Sequence, residues 1–403
     1  MRVKYCEMHS CILKLILLFL AFASFRPFFT FIPITPLLES LVLSLIFITS
    51  YKVLCNKAIV FFLIYYLLVF IDLFVCGNTF MQGNLYVVFT FSMELSFLFI
   101  VYYFIKISLD NWIKATKCVC AFILLSALIT FFFNLKQPGF YRNVELEREE
   151  FRMIYEARGV LSYYMFHAIA LLFPFLILVW KLDKSKVYRN VSILLLFLFI
   201  YLMFSSSITT AVALGGISIV LALNTSTNKK QIGLILFLFI VGLWGKSIVL
   251  SVIDFLLPFA EGTGMYQKLD VIRLGVSYGD QIMITNGRSN LYGDSWDAFC
   301  CNPFWGCHNA NLLGEHSFII DRLGFYGLIG FLPYLIFLFL QIKMPLKYIS
   351  PYIRPYYYWS YFPYIGMMFL KNIHLYEMYC VVFIVVPGLY IWASKRYFPS
   401  YLK

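Results

Sequence analysis

The chain has 403 residues, of which 62% are hydrophobic, 20% aromatic and 13% charged, and its formal net charge is +12. Soluble domains carry about 25% charged residues, so this composition excludes a soluble globular protein and predicts an integral membrane one. The fold class it predicts is all-α and polytopic: lipid offers no partner to free backbone groups, and the weakly alternating segments of a β-barrel are missing.

In chain order, apolar runs predict spans at 12–31, 37–54, 58–76, 85–105, 117–135, 159–180, 190–205, 207–223, 231–253, 317–341, 355–371 and 378–394, about twelve transmembrane helices in all. The first run follows Arg2, Lys4 and Lys14 and contains Ala21-Phe22-Ala23, which mimics a signal peptide and its cleavage site. The apolar stretch continues through Phe31, so it reads as an uncleaved span. Spans seven and eight are separated only by Ser205-Ser206-Ser207.

With the N-terminus inside, most Lys and Arg fall in cytoplasmic segments, and nearly all the rest sit in or beside two polar segments, 135–158 and 254–316. That bias predicts cytoplasmic termini and two outward-facing polar loops on a single membrane domain, 1–403. It also accounts for the positive charge with no partner beyond the lipid bilayer. No basic stripe interleaved with aromatics occurs, which argues against a nucleic-acid partner.

The polar segments carry the chemistry. In the first, Glu145, Glu147, Glu149, Glu150 and Glu156 alternate with Arg142, Arg148, Arg152 and Arg158, and 145–157 predicts a surface helix. Most of these charges neutralise one another in solvent. Arg158 abuts the next span, where a guanidinium must pair or face a cavity, so Glu156 and Arg158 are candidate site residues. In the second segment Arg288 follows Gly287, and a guanidinium fork suits phosphate groups. His316 lies where the polar run meets the next span and can exchange a proton near neutral pH; His308 is a weaker candidate. Glu315 and Asp321 flank it, and Asp321-Arg322 falls within the first turns of that span. Asp72 and Glu94 are read as paired structural groups within spans.

The run Cys300-Cys301-Asn302-Pro303-Phe304-Trp305-Gly306-Cys307-His308 suggests a disulfide to Cys307. A zinc site there would need a spacing that matches no standard ligand pattern, so no metal ligand set is expected. Gly245-Lys246-Ser247 lacks the first glycine of a phosphate loop, and no H-E-x-x-H or G-x-S-x-G occurs. Trp296, Phe304 and Trp305 could stack on sugar faces, although packing is the commoner role.

Four local patterns occur in a fixed order. They are Arg158-Gly159 opening a span; the Ser/Thr-rich run at 205–210, with Ile208 at its centre; Gly287-Arg288 followed by Trp296, Pro303 and Gly306; and His316-Ser317 followed by Gly324 and Gly327. With the span arrangement, this order resembles bacterial O-antigen polymerases of the Wzy type and the related O-antigen ligases. Ile208 departs from that pattern, which usually has a basic residue there.

The resemblance implies a glycosyltransferase of the bacterial inner membrane, with its active site facing the periplasm and no cofactor. Its substrate would be an undecaprenyl diphosphate-linked oligosaccharide. The growing glycan would pass from that lipid diphosphate to a sugar hydroxyl on a new lipid-linked repeat unit. In this scheme Arg158 and Arg288 stabilise the diphosphate leaving group and His316 accepts the hydroxyl proton, with Asp321 or Glu315 as alternatives for that role; Glu156, Glu315, Asp321 and Trp296 are placed at the substrate. A chain-length regulator and a flippase of the same pathway are the implied partners. A ligase that transfers glycan to lipid A core, and a lipid-linked oligosaccharide flippase, are the alternatives.

Overall fold

A computed structural model describes residues 2–24, 34–49, 56–76, 84–136, 159–225, 246–262, 264–279, 288–372 and 375–402. Among them there is no strand. Among the described residues seven helices are long and apolar enough to cross a membrane, and four shorter apolar helices accompany them. The described part of the chain is therefore all-helical, as a polytopic membrane protein requires.

The chain divides into two compact units. The first comprises Met1–Leu125, Tyr292–Ser350 and Lys371–Lys403. Its helices are α1 (Arg2–Ser24), α2 (Ile34–Thr49), α3 (Lys57–Ile71), α4 (Asn84–Ile107) and most of α5 (Leu109–Lys136). Asn56 caps α3, its Oδ1 accepting from Ala58 N at 3.0 Å, which satisfies one of the free donors of the first turn. At its other end α3 widens into a π-turn, Asp72–Cys76.

The second unit comprises Ser126–Leu291 and Pro351–Leu370. It holds α6 (Tyr163–Ile169), α7 (Phe173–Leu182), α8 (Lys186–Ser205), α9 (Thr209–Leu223), α10 (Lys246–Ala260) and α11 (Gly264–Tyr278). α9 packs against α7, and α10 against α11. Lys181 at the end of α7 donates to the carbonyls of Ala222 and Leu223, the last of α9, at 3.0 and 2.6 Å. A cation there satisfies free carbonyls and opposes the negative end of the helix dipole.

The described residues end with α12 (Arg288–Cys301), α13 (Phe318–Lys343), α14 (Arg354–Leu370) and α15 (Tyr376–Tyr379), which continues through a π-turn into α16 (Val386–Tyr397). α14 belongs to the second unit and packs on α9 and α7. α13, α15 and α16 belong to the first, where α13 runs along α3.

The serine run does separate α8 from α9, with Ser207 in the left-handed region at φ 57°. The fifth span starts earlier than expected, at Leu109, because Ser108 Oγ accepts from Asn111 N and begins the helix there. Most of the expected span 231–253 and nearly all of the loop 135–158 lie outside the described residues. The segment 254–316 holds α11, α12 and the end of α10, so much of it is helical rather than loop.

Buried charge exceeds the two groups expected. Besides Asp72 and Glu94, the first unit buries Glu39, Asp321, Arg322 and Glu377. Tyrosine hydroxyls make this tolerable. Glu94 accepts from Tyr66 at 3.0 Å, from Tyr334 at 2.9 Å and from Tyr379, while Glu39 accepts from Tyr376. In hydrocarbon surroundings, a carboxylate without such donors would be prohibitively costly.

Candidate functional site

The site elements of the first unit converge on a break in α13. At Gly327 the backbone leaves the helix, at φ 64° and ψ −172°. That frees the carbonyls of the turn before the break and the N–H groups of the turn after it. The segment 303–308 pairs with two groups of each set. Cys307 N donates to Gly324 O at 2.8 Å and His308 N to Phe325 O at 3.2 Å. In the other direction, Leu328 N donates to Pro303 O at 2.8 Å and Ile329 N to Phe304 O at 3.0 Å. Irregular backbone within a membrane helix survives where protein groups complete its hydrogen bonds, as here.

Two glycines make this docking possible. A Cβ on Gly306 would overlap the Phe325 carbonyl, and one on Gly327 would overlap the Phe304 carbonyl and lie 2.6 Å from Gly306 N. The two glycine-bearing patterns, Pro303 to Gly306 and Gly324 to Gly327, are therefore the two halves of one joint.

Asp321 holds the other side of the joint. It is 1% exposed. Its Oδ1 accepts from Ser295 Oγ at 2.6 Å, and its Oδ2 from Ser317 N at 2.8 Å. Ser317 in turn caps α13 by accepting from Ile320 N at 3.1 Å. Ser295 Oγ also accepts from Gly314 N at 2.9 Å, so one serine ties α12 to the segment before α13. Asp321 thus braces the head of α13 and is turned inward.

Arg322 is buried beside it. Its guanidinium lies 3.5 Å from the centroid of the Phe318 ring, and Nε donates to Tyr65 Oη at 3.3 Å. A cation over an aromatic face is stabilised by the ring quadrupole.

His316 and Glu315 are exposed at the turn into α13, with Glu315 in the left-handed region at φ 55°. His316 lies close enough to Asp321 for their charges to interact. Trp296 is half exposed on α12 and meets Phe299, their rings 5.3 Å apart. Glu315, His316, Asp321 and Trp296 all belong to the first unit. Arg288, the first residue of α12, is half-buried and falls in the second. Glu156 and Arg158 lie outside the described residues.

The disulfide expectation is corrected. Cys300, Cys301 and Cys307 are free thiols. The first two end α12, while Cys307 Sγ turns to the Asn309 carbonyl at 3.4 Å. Among the described residues no group of His, Cys, Asp or Glu is arranged to hold a metal ion. His308 instead places Nδ1 3.0 Å from Asp72 Oδ1 in the π-turn after α3. Sequence reasoning ranked His308 low and missed Ser295 and Tyr65. The intramembrane position of Asp72 was the one signal pointing to a partner for it.

No family model matches the chain, and no curated protein matches it in sequence.

Proposed function

We propose that this protein is a polysaccharide polymerase of the O-antigen type, a membrane glycosyltransferase that uses a polyprenyl diphosphate-linked donor. The single observation that carries the reading is the joint at Gly327. Two of the four patterns behind the family resemblance, Pro303 to Gly306 and Gly324 to Gly327, meet there, and exposed His316 lies just before the same helix.

In this reading the donor C1–oxygen bond to the diphosphate breaks as an acceptor hydroxyl attacks C1. The leaving diphosphate needs cations, for which Arg288 and Arg158 are the candidates; guanidinium donors stabilise charge that develops in the transition state. The attacking hydroxyl loses a proton, for which His316 is the candidate from the sequence. Glu156, Glu315, Asp321 and Trp296 are assigned to the substrate, Asp321 through its hold on the head of α13.

A strain lacking the gene, complemented with His316→Ala, Arg288→Ala or Arg158→Ala, tests the assignment on glycan gels. The long-chain ladder should vanish while single repeats remain attached to core. Loss of all attachment would indicate a ligase instead. Wild-type ladders from all three variants, at normal protein levels, would overturn the site. A flippase is the second reading, and the buried Glu39, Asp72, Glu94, Asp321, Arg322 and Glu377 are the observation that favours it.

A further inference from the structure

The three serines between α8 and α9 are not equally satisfied. Ser205 Oγ accepts from Asn134 Nδ2 at 3.1 Å and donates to Leu202 O at 3.2 Å. Ser206 and Ser207 are each 0% exposed, and neither Oγ has a hydrogen-bond partner among the described residues. Burying a hydroxyl without a partner is costly, and an acceptor brought by a ligand removes that cost.

The next turn adds more donors. The first turn of α9 closes with Val212 N on Ile208 O at 3.1 Å, and no side chain caps the helix. The N–H groups of Thr209, Thr210 and Ala211 are therefore unpaired among the described residues. Ser207, at φ 57°, turns the chain into this helix, so the unpartnered hydroxyls and the unpaired N–H groups belong to one turn of chain. Thr209 and Thr210 are only half-buried, which opens that turn to the surface.

A cation reaches the same turn from α11. Lys268 Nζ donates to Ser207 O at 2.6 Å. Packing sets it there: Met265 and Leu269, on either side of it in sequence, share one apolar cluster with Phe204 and Val212, which flank the serine run. Toward α8 the ammonium opposes the negative end of a helix, as Lys181 does for α9. Toward α9 it adds to the positive end, where anions rather than cations are stabilised. All these groups belong to the second unit, as does Arg288.

We propose that this turn binds the diphosphate of the polyprenyl-linked donor. Lys268 is its cation, and Ser206, Ser207 and the first N–H groups of α9 are its hydrogen-bond donors. Phosphate oxygens suit a helix N-terminus flanked by hydroxyls and an ammonium. The proposal rests on the polymerase reading above and adds a third cation to Arg288 and Arg158. As the C1–oxygen bond breaks, the bonding pair leaves with the diphosphate, and Lys268 offsets the added charge.

The test is equilibrium binding of radiolabelled undecaprenyl diphosphate to the detergent-solubilised full-length protein. Lys268→Gln keeps a donor for Ser207 O but loses the charge, and should weaken binding by about 10-fold or more, the usual effect of losing a charged hydrogen bond. Lys268→Arg should bind much as wild type does. Ser206→Ala combined with Ser207→Gly should also weaken binding. These changes break no hydrogen bond within the protein, and glycine suits φ 57°, so the melting temperature should not fall. Inorganic pyrophosphate should displace the label, and phosphatidylglycerol at the same concentration should not.

Unchanged binding in Lys268→Gln, or in the serine variant, would overturn the subsite. Displacement by phosphatidylglycerol as readily as by pyrophosphate would make the turn a headgroup site and overturn it too. Wild-type protein that binds undecaprenyl diphosphate at this turn yet extends no chains in membrane vesicles supplied with lipid-linked repeat units would leave the subsite standing and overturn the polymerase reading.

Discussion

Replacing Gly327 with alanine strikes the joint directly. Gly327 occupies φ 64° and ψ −172°, a region essentially reserved for glycine. Forcing alanine into such a region costs about 1–3 kcal/mol. The new Cβ would also overlap the Phe304 carbonyl, so segment 303–308 must withdraw. Withdrawal threatens four backbone hydrogen bonds, those of Cys307, His308, Leu328 and Ile329. At about 1 kcal/mol each, the total loss is about 5 kcal/mol or more. That is a large share of the about 5–15 kcal/mol by which native proteins are stable. Gly216 in α9 is the control. A Cβ there meets nothing within 4 Å, and a helical Gly→Ala change gains about 0.5–1 kcal/mol. Denaturant titration of the detergent-solubilised protein, read by fluorescence of its 7 tryptophans, measures both variants. A Gly327→Ala protein within about 0.5 kcal/mol of wild type, the range of an innocuous surface change, would refute the joint.

Glu94→Ala should destabilise the first unit more than Glu94→Gln, by about 1–3 kcal/mol, because alanine removes the acceptor shared by Tyr66, Tyr334 and Tyr379 and leaves the last two only their bond to each other among the bonds described, whereas glutamine keeps an acceptor; the same titration compares them. Asp321→Ala should release the head of α13 and raise protease cleavage between 302 and 317, with Ser295→Ala giving a smaller rise, since Asp321 keeps its bond from Ser317 N. Gly388→Ala should destabilise by about 1–3 kcal/mol, because its Cβ would overlap Thr116 Oγ1, and Thr116→Ala in the same chain should recover part of that loss.

How much of this was legible in the sequence depends on how local each feature is. Membrane helices follow from apolar runs, and the break between α8 and α9 follows from three adjacent serines. Gly324 and Gly327 stand out in the sequence as a repeated-glycine pattern, and close approach is what they provide. Their partner segment at 303–308 could not be inferred, because backbone pairing across a helix break carries no side-chain pattern. The same limit hid the acceptor roles of Glu39 and Glu94, whose tyrosines Tyr376 and Tyr379 lie near the far end of the chain. Asp321 was expected at the substrate because intramembrane carboxylates tend to be functional, yet both of its oxygens brace backbone and α12. The approach of His308 to Asp72 was not legible either, because nothing near His308 in sequence announces Asp72.

The central claim, glycan transfer from a lipid diphosphate, is tested most directly by the purified protein in proteoliposomes with undecaprenyl diphosphate-linked repeat units on its outward side. The account predicts that chains lengthen and that one free undecaprenyl diphosphate appears for each new linkage. Movement of the lipid-linked units across the bilayer with no free undecaprenyl diphosphate and no new linkage would contradict it and favour the flippase reading.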